Sequence, residues 1–233
     1  MVSALDALIL CGGLGTRLRE VVTDRPKGLA EIRGRPFLDL LIDELARQGL
    51  KRFILCTGYR GEQIAARYAR RSDAQFVVSL EDRPLGTAGA IRLALPFAKS
   101  DPFLVLNGDS FCQVDYRALH RFHEAKHAAL TIVVAPPGSR DDVGTVVLAG
   151  DGAIASFNEK ARQDKQASIN AGIYLMRRNL VEGLTQTPLS LEHDVFPQAV
   201  RGGGCYGFPV AGPVVDIGTP ERYLAAQDLL RDA

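Results

Sequence analysis

The chain lacks most of what would mark a secreted, membrane-bound or nucleic-acid-binding protein. Its four cysteines (Cys11, Cys56, Cys112 and Cys205) lie far apart and form no CxxC pair. Three of them end or follow apolar runs, where a reduced thiol behaves as a small hydrophobe. A disulfide framework and a structural zinc are thereby excluded, and a cytoplasmic location is expected. A formal net charge of +1 over 233 residues provides no basic field, so nucleic acid is not an expected partner. The opening MVSALDALIL has no basic region and runs straight into a strand-like segment, unlike a signal peptide. No apolar run approaches the ~20 residues that span a bilayer, so no membrane partner is expected either. Internal repeats and low-complexity segments are also missing. What remains is 46% hydrophobic and 24% charged, an ordinary globular composition with length for one sizeable core or two small ones. The expected partner is a small anion met in a cleft.

The first half alternates two periods. Residues 5–11 form a short apolar run that stops at Gly12-Gly13, as a buried strand stops at a turn. Residues 36–48 set Phe37, Leu40, Leu41 and Leu45 on one helical face, with Pro36 at the start and Gly49 at the end. Residues 52–58, 75–80 and 103–109 read as strands. GEQIAARYARR and a segment from about Thr87 to Ala98 read as helices between them. Strands that are apolar throughout predict a parallel sheet covered on both faces. After about residue 128, TIVVAP, GTVVLAG, AIASFNE and INAGIYLM are strand-like, with only brief helical stretches before the terminal ERYLAAQDLLRD. Asp151-Gly152 predicts a hairpin. With no linker in view, the expectation is a single domain over 1–233. Its nucleotide-binding half is about 1–128, and the half for the second substrate about 129–233.

The most informative stretch is Leu10-Cys11-Gly12-Gly13-Leu14-Gly15-Thr16-Arg17-Leu18, followed by Arg25-Pro26-Lys27. Three glycines directly after a buried strand let the backbone bend tightly and turn its N–H groups toward an anion. Arg17 and Lys27 add the fixed positive charge that phosphates require. A plain glycine turn with two solvated cations is the alternative. Neither familiar phosphate fingerprint fits: Gly15 precedes Thr16-Arg17 where a Walker A loop has Lys-Ser/Thr, and Leu18 replaces the third glycine of a dinucleotide fingerprint.

This loop, with its downstream Pro26-Lys27, resembles the signature of the sugar-phosphate nucleotidyltransferases, among them the mannose-1-phosphate guanylyltransferases. Four further stretches match in the same order: PLGTAGA (84–90), LNGDS (106–110), NEK with NAGIY (158–160 and 170–174) and DIGTP (216–220). The matches span nearly the whole chain. The resemblance implies a Rossmann-like three-layer α/β/α fold with a mostly parallel mixed sheet, of the nucleotide-diphospho-sugar transferase type. It also implies a reaction in which a sugar-phosphate oxygen attacks the α-phosphorus of a nucleoside triphosphate in line and releases pyrophosphate. No covalent enzyme intermediate is needed, so positioning and charge stabilisation carry the catalysis.

Residue by residue, the resemblance makes Asp109 and Asp216 ligands of Mg²⁺, a cation suited to hard oxygen donors beside phosphates. Taken alone, each would read as a cap or turn aspartate. Arg17, Lys27 and Asp109 form the catalytic set. The nucleotide falls to Leu10, Gly12, Gly13, Gly15, Thr16, Arg17, Glu81, Gly86 and Thr87. The sugar phosphate falls to Gly144, Asn158, Glu159, Lys160, Asn170 and Gly172. For Asn158 and Asn170 a turn role between strands is the competing reading.

Glu81 occupies the place where relatives put a base-reading side chain. Guanine offers two adjacent donors that a carboxylate accepts, whereas uracil suits an amide, so GTP is favoured. The favoured acceptor is manno-heptose or mannose 1-phosphate, and the short chain looks most like the heptose 1-phosphate guanylyltransferases, which feed lipopolysaccharide or capsule biosynthesis. A uridylyltransferase for N-acetylmuramate or another amino-sugar phosphate is the runner-up. A non-catalytic regulatory subunit is the reading from a different class; Arg17, Lys27, Asp109 and Asp216, all present, argue for an enzyme. An NAD-dependent oxidoreductase fails at Leu18. Oligomeric state stays open, a homodimer included. His120, His123 and His127 fall at helical spacing, but HRFHEAKH is otherwise charged and reads as a solvated face. Arg70-Arg71 and Arg177-Arg178 read as basic pairs at helix ends.

Overall fold

Short apolar runs cut off by glycine or asparagine make buried strands, and the computed structural model, which describes residues 2–137, 142–159 and 167–231, assembles nine of them into one mixed sheet. β1 (Asp6–Leu10), β2 (Arg52–Thr57), β3 (Gln75–Leu80) and β4 (Phe103–Asn107) are parallel, in the order β3-β2-β1-β4. The expected β-α-β alternation of the first half is therefore present. β5 (Leu130–Ala135), β6 (Thr145–Leu148), β7 (Ile154–Asn158), β8 (Ser168–Met176) and β9 (Cys205–Pro209) complete the sheet. β6 and β7 are the hairpin expected around Asp151-Gly152. β9, which the sequence reading did not include, adds to β5 in parallel.

β8 ties the two halves together. Its carboxyl-terminal part runs antiparallel to β4, pairing Ile173 with Leu106, while its amino-terminal part pairs with β6. Its other edge follows β5, with a register shift between Asn170 and Tyr174. Gly172, at φ +73°, lies inside that irregularity, as a bulge requires.

Alternation along the strands divides the core. Ala7, Ile9, Leu104 and Leu106 face one layer, formed by α1 (Phe37–Arg47), α2 (Gly61–Tyr68) and α4 (Tyr116–Ala125). Leu8, Phe103 and Val105 face the other, formed by α3 (Gly86–Ala94), α5 (Asn179–Glu182) and α6 (Phe196–Gly202). A third, smaller cluster joins Leu18, Phe37 and Ile217 to α7 (Pro220–Leu229). No helix among the described residues is long and apolar enough to cross a membrane.

Several local expectations change. β4 stops at Asn107, so Asp109 stands in the turn beyond the strand rather than at its last position. His123 is fully buried, with Nδ1 2.8 Å from Thr131 Oγ1 on β5. α4 is amphipathic: Asp115 caps it by accepting from the Arg117 and Ala118 N–H groups, and Leu119 and His123, one turn apart, face the sheet. The charged residues of the segment occupy the opposite face and conceal this pattern. Arg177 and Arg178 follow β8 and precede α5. Arg178 donates to the carbonyls of Leu95 and Ala98, at the end of a different helical segment, and Arg177 pairs with Glu124. The brief helical stretches expected in the second half are α5 and a helical turn at Leu191–Val195 running into α6.

Candidate active site

The carboxyl ends of β1, β2 and β4 open into a cleft of about 670 Å³, where ligands of open α/β sheets bind. Its floor is the glycine loop. The Cys11 N–H still donates to Cys56 O at 2.9 Å, and the Tyr59 N–H to Gly12 O at 3.2 Å, so the loop leaves β1 clamped against β2. A methyl group on Gly12 would stand 2.9 Å from the Gly58 nitrogen, which leaves room for hydrogen alone. Gly15, at φ +59°, turns the chain, and its carbonyl accepts from Leu18 and Arg19. Leu18 is thereby buried in the third cluster. Leu10, Gly12, Gly13, Gly15, Thr16, Arg17 and Lys27 all line the cleft.

A short antiparallel ribbon brings the two aspartates together. Val215 pairs with Phe111 and Asp216 with Ser110, and the Ile217 N–H donates to Asp109 O at 3.1 Å. Lys27 Nζ donates to Asp109 Oδ2 at 2.6 Å, and Ser110 Oγ to Asp109 Oδ1 at 3.1 Å. Burial works against ionisation of Asp109, but the Lys27 ammonium outweighs it and holds the carboxyl below the usual carboxylate range. Asp216 is buried, and its Oδ1 accepts from the Gly218 N–H at 2.7 Å. A methyl group on Gly218 would meet both Asp216 Oδ1, at 2.7 Å, and Lys27 Nζ, at 3.6 Å. Lys27 and both aspartates thus share one corner. Among the described residues no group of three or more His, Cys, Asp or Glu side chains is placed to hold a metal ion. Two carboxylates suit a cation that takes its remaining ligands from phosphate and water.

Two further charged groups join this corner without a motif to announce them. Arg222, on the first turn of α7, reaches Asp216 Oδ1 at 3.4 Å and Asp142 Oδ1 at 2.7 Å. Asp142 Oδ2 in turn meets Arg17 at 3.2 Å. Asp142 therefore links the glycine loop to the segment that follows Asp216. Opposite charges far apart in sequence leave no local signal, and residues 142 and 222 are 80 apart.

At the end of β3, the Glu81 N–H continues the ladder to Thr57 O, and Glu81 Oε2 accepts from the Leu85 N–H at 3.2 Å. A methyl group on Gly58 would stand 2.6 Å from Glu81 Oε1, so the two glycines make space for this carboxylate. Burial, opposed by the Leu85 hydrogen bond and reinforced by Asp82, raises the Glu81 carboxyl above its usual range. Gly86 and Thr87 open α3 and line the cleft with Tyr59, Asn107 and Glu192. These last three were not singled out in the sequence. For Glu192 a signal existed: Ser190 caps the turn by accepting from the Glu192 and His193 N–H groups, an arrangement that Ser before acidic residues announces.

On the other side, Gly144, Glu159 and Asn170 come together. The Asn170 N–H donates to Gly144 O at 2.8 Å, and a methyl group on Gly144 would stand 2.9 Å from Glu159 Oε2. A methyl group on Gly172 would lie 2.7 Å from Asn107 Nδ2, so the β8 bulge rests against the end of β4. Asn158 stands apart: it is exposed, and its amide contacts Ser156 on its own strand at 3.5 Å. Lys160 lies outside the described residues.

Known proteins resemble this chain in sequence and in fold. A family model described as nucleotidyl transferase matches residues 6–233. The catalytic subunit beta of mannose-1-phosphate guanylyltransferase from Drosophila melanogaster is 35% identical over 228 residues, covering 96% of this chain and 62% of that protein. The mannose-1-phosphate guanyltransferase of Saccharomyces cerevisiae is 33% identical over 228 residues, covering 95% and 63%. The chain thus spans a little over three-fifths of the length of these relatives. HddC from Yersinia pseudotuberculosis, solved complexed with GMP-PN, superposes with a TM-score of 0.84 at 31% identity, over 97% of this chain and 99% of that one. The inositol-1-phosphate CTP transferase from T. maritima, at 19% identity and a TM-score of 0.79, covers 99% and 98% and shares the fold. With its ordered motifs gathered at one sheet edge and a family model spanning nearly all of its length, the chain belongs to the nucleotidyl transferase family.

Proposed function

We propose that the chain is a sugar-1-phosphate guanylyltransferase, forming a GDP-sugar and pyrophosphate from GTP and manno-heptose or mannose 1-phosphate. The observation that carries this reading is the meeting of Lys27, Asp109 and Asp216 at one corner beside the glycine loop, with Arg17 joined to it through Asp142 and Arg222. The names of the relatives and the GMP-PN complex of HddC support guanine as the base. In this reading the loop N–H groups and Arg17 hold the triphosphate. Lys27 neutralises charge developing at the α-phosphate, and Glu81 accepts the two guanine donors. An oxygen of the sugar phosphate then forms its bond to the α-phosphorus while the bond to pyrophosphate breaks. Glu159 and Asn170 receive the sugar, and Lys160 its phosphate.

Asp109 and Asp216 would hold Mg²⁺, whose charge neutralises phosphate oxygens when bound. An assay of pyrophosphate release, with each NTP crossed against several sugar 1-phosphates, tests the reaction. Turnover with Mg²⁺ and GTP is expected; no turnover with any pair rejects the enzyme reading. Asp109→Asn and Asp216→Asn should each reduce turnover by about a thousandfold or more while the fold is kept. Retained activity in both variants would reject the metal assignment.

A further inference from the structure

Glu192 is a carboxylate of the cleft that no family motif accounts for. It stands in the Leu191–Val195 turn and lines the cleft with Thr87 and Ala90. Its Oε2 accepts from Thr87 Oγ1 at 3.0 Å and from Ser190 Oγ at 2.9 Å, and its Oε1 accepts from the Tyr174 hydroxyl at 3.3 Å. The Tyr174 hydroxyl in turn accepts from Asn170 Nδ2 at 2.8 Å. Both ends of this path are fixed by backbone. Thr87 Oγ1 accepts from the Leu191 N–H at 2.7 Å, and Asn170 Oδ1 from the Gly172 N–H at 2.9 Å. Tyr174 is fully buried between them, its ring against Phe196. The hydrogen bonds therefore run unbroken from Thr87, on the glycine-rich turn that opens α3, to Asn170, on the β8 bulge. Their centre takes three hydroxyl donors at once, which suits an ionised carboxylate. An amide there would turn an N–H toward one of the three.

We infer that Glu192 is a positioning residue for both substrates, holding Thr87 for the nucleotide and, through Tyr174, Asn170 for the sugar phosphate. This rests on the proposed reading only in taking Thr87 to face the nucleotide and Asn170 the sugar. Two variants separate the arms. Glu192→Gln disturbs both. Tyr174→Phe keeps the ring packing and cuts the sugar arm alone.

The test is the dissociation constant of the full chain for GTP and for mannose 1-phosphate, each measured alone by calorimetry so that no turnover intervenes. Glu192→Gln should weaken both ligands by about tenfold, as expected for hydrogen bonds to a charged group. Tyr174→Phe should weaken mannose 1-phosphate by a comparable factor and leave GTP within about twofold. Should Glu192→Gln fail to fold, the asymmetry in Tyr174→Phe decides. A lowered melting temperature with both constants unchanged would mean a merely structural role and overturn the inference. So would equal weakening of both ligands in Tyr174→Phe. If the wild-type chain binds both ligands yet releases no pyrophosphate, the catalytic reading falls and the constants still decide this one. If it binds neither, both fall.

Discussion

In the proposed reading, base choice rests on single atoms. Glu81 Oε2 takes the Leu85 N–H, and Oε1 lies in the space left by Gly12 and Gly58, so the carboxylate rests against the cleft wall. Replacing it by Gln exchanges an acceptor for a donor and removes the match to guanine while creating one for uracil. Glu81→Gln should lower the ratio of kcat/KM for GTP over UTP by at least about tenfold, read in the same pyrophosphate assay. A wild-type preference for UTP would show that Glu81 does not read the base. Burial also sets a pH consequence. Because the carboxyl is raised, it takes up a proton earlier on acidification than an exposed glutamate does. The GTP preference should therefore decline on the acid side, and in Glu81→Gln that decline should be absent. The type of residue at 81 was legible in the sequence, but its confinement was not, since Gly12, Gly58 and Leu85 come from three separate segments.

Between elements, the decisive contacts lie where one loop braces another. The turn that opens α3 rests on the segment before α6. The Ala88 N–H donates to Leu189 O at 3.0 Å and the Leu189 N–H to Leu85 O at 2.9 Å, and a methyl group on Gly86 would stand 2.3 Å from Leu189 O. Gly86 also holds φ +75°, which disfavours any side chain. Gly86→Ala should lower unfolding stability by about 2 kcal/mol or more, read by urea denaturation, and weaken GTP binding in parallel. PLGTAGA announced the glycine, whereas its support at Leu189, far along the chain, was invisible until β8 and α6 were in place. The Asp142 link between Arg17 and Arg222 is of the same kind. Arg17 is 62% exposed, so the pair contributes little stability, but in the proposed reading a triphosphate arriving at Arg17 competes with it. Asp142→Asn should tighten GTP binding by about two- to fivefold, most strongly at low salt. Unchanged affinity across salt concentrations would count against that competition.

For the molecule as a whole, His123 links folding to pH. Burial first, then the charges of Arg177 and His120, pushes it down to about 4, so the native state keeps it neutral. The unfolded chain titrates near ~6.5. Above that value both states are neutral and the molecule has its full stability. As the pH falls from there toward 4, the unfolded state binds the extra proton, and stability drops by about 3 kcal/mol. Denaturant midpoints measured across that range should show the loss, and His123→Gln should flatten it. The sequence by itself determined the parallel β-α-β core, the glycine loop and the order of the motifs, because these rest on local periodicity and on residue types that short segments require. The two aspartates were singled out by the family resemblance of their motifs, since each alone reads as a turn or cap residue. Tertiary structure alone decided that the aspartates share a corner with Lys27, that Asp142 and Arg222 join them, and that Glu192 is linked by hydrogen bonds to Thr87 and, through Tyr174, to Asn170. Each depends on charges and hydroxyls meeting from distant strands, and that meeting is fixed by the register of β8 against β4 and of the ribbon at Asp216, which no local pattern records.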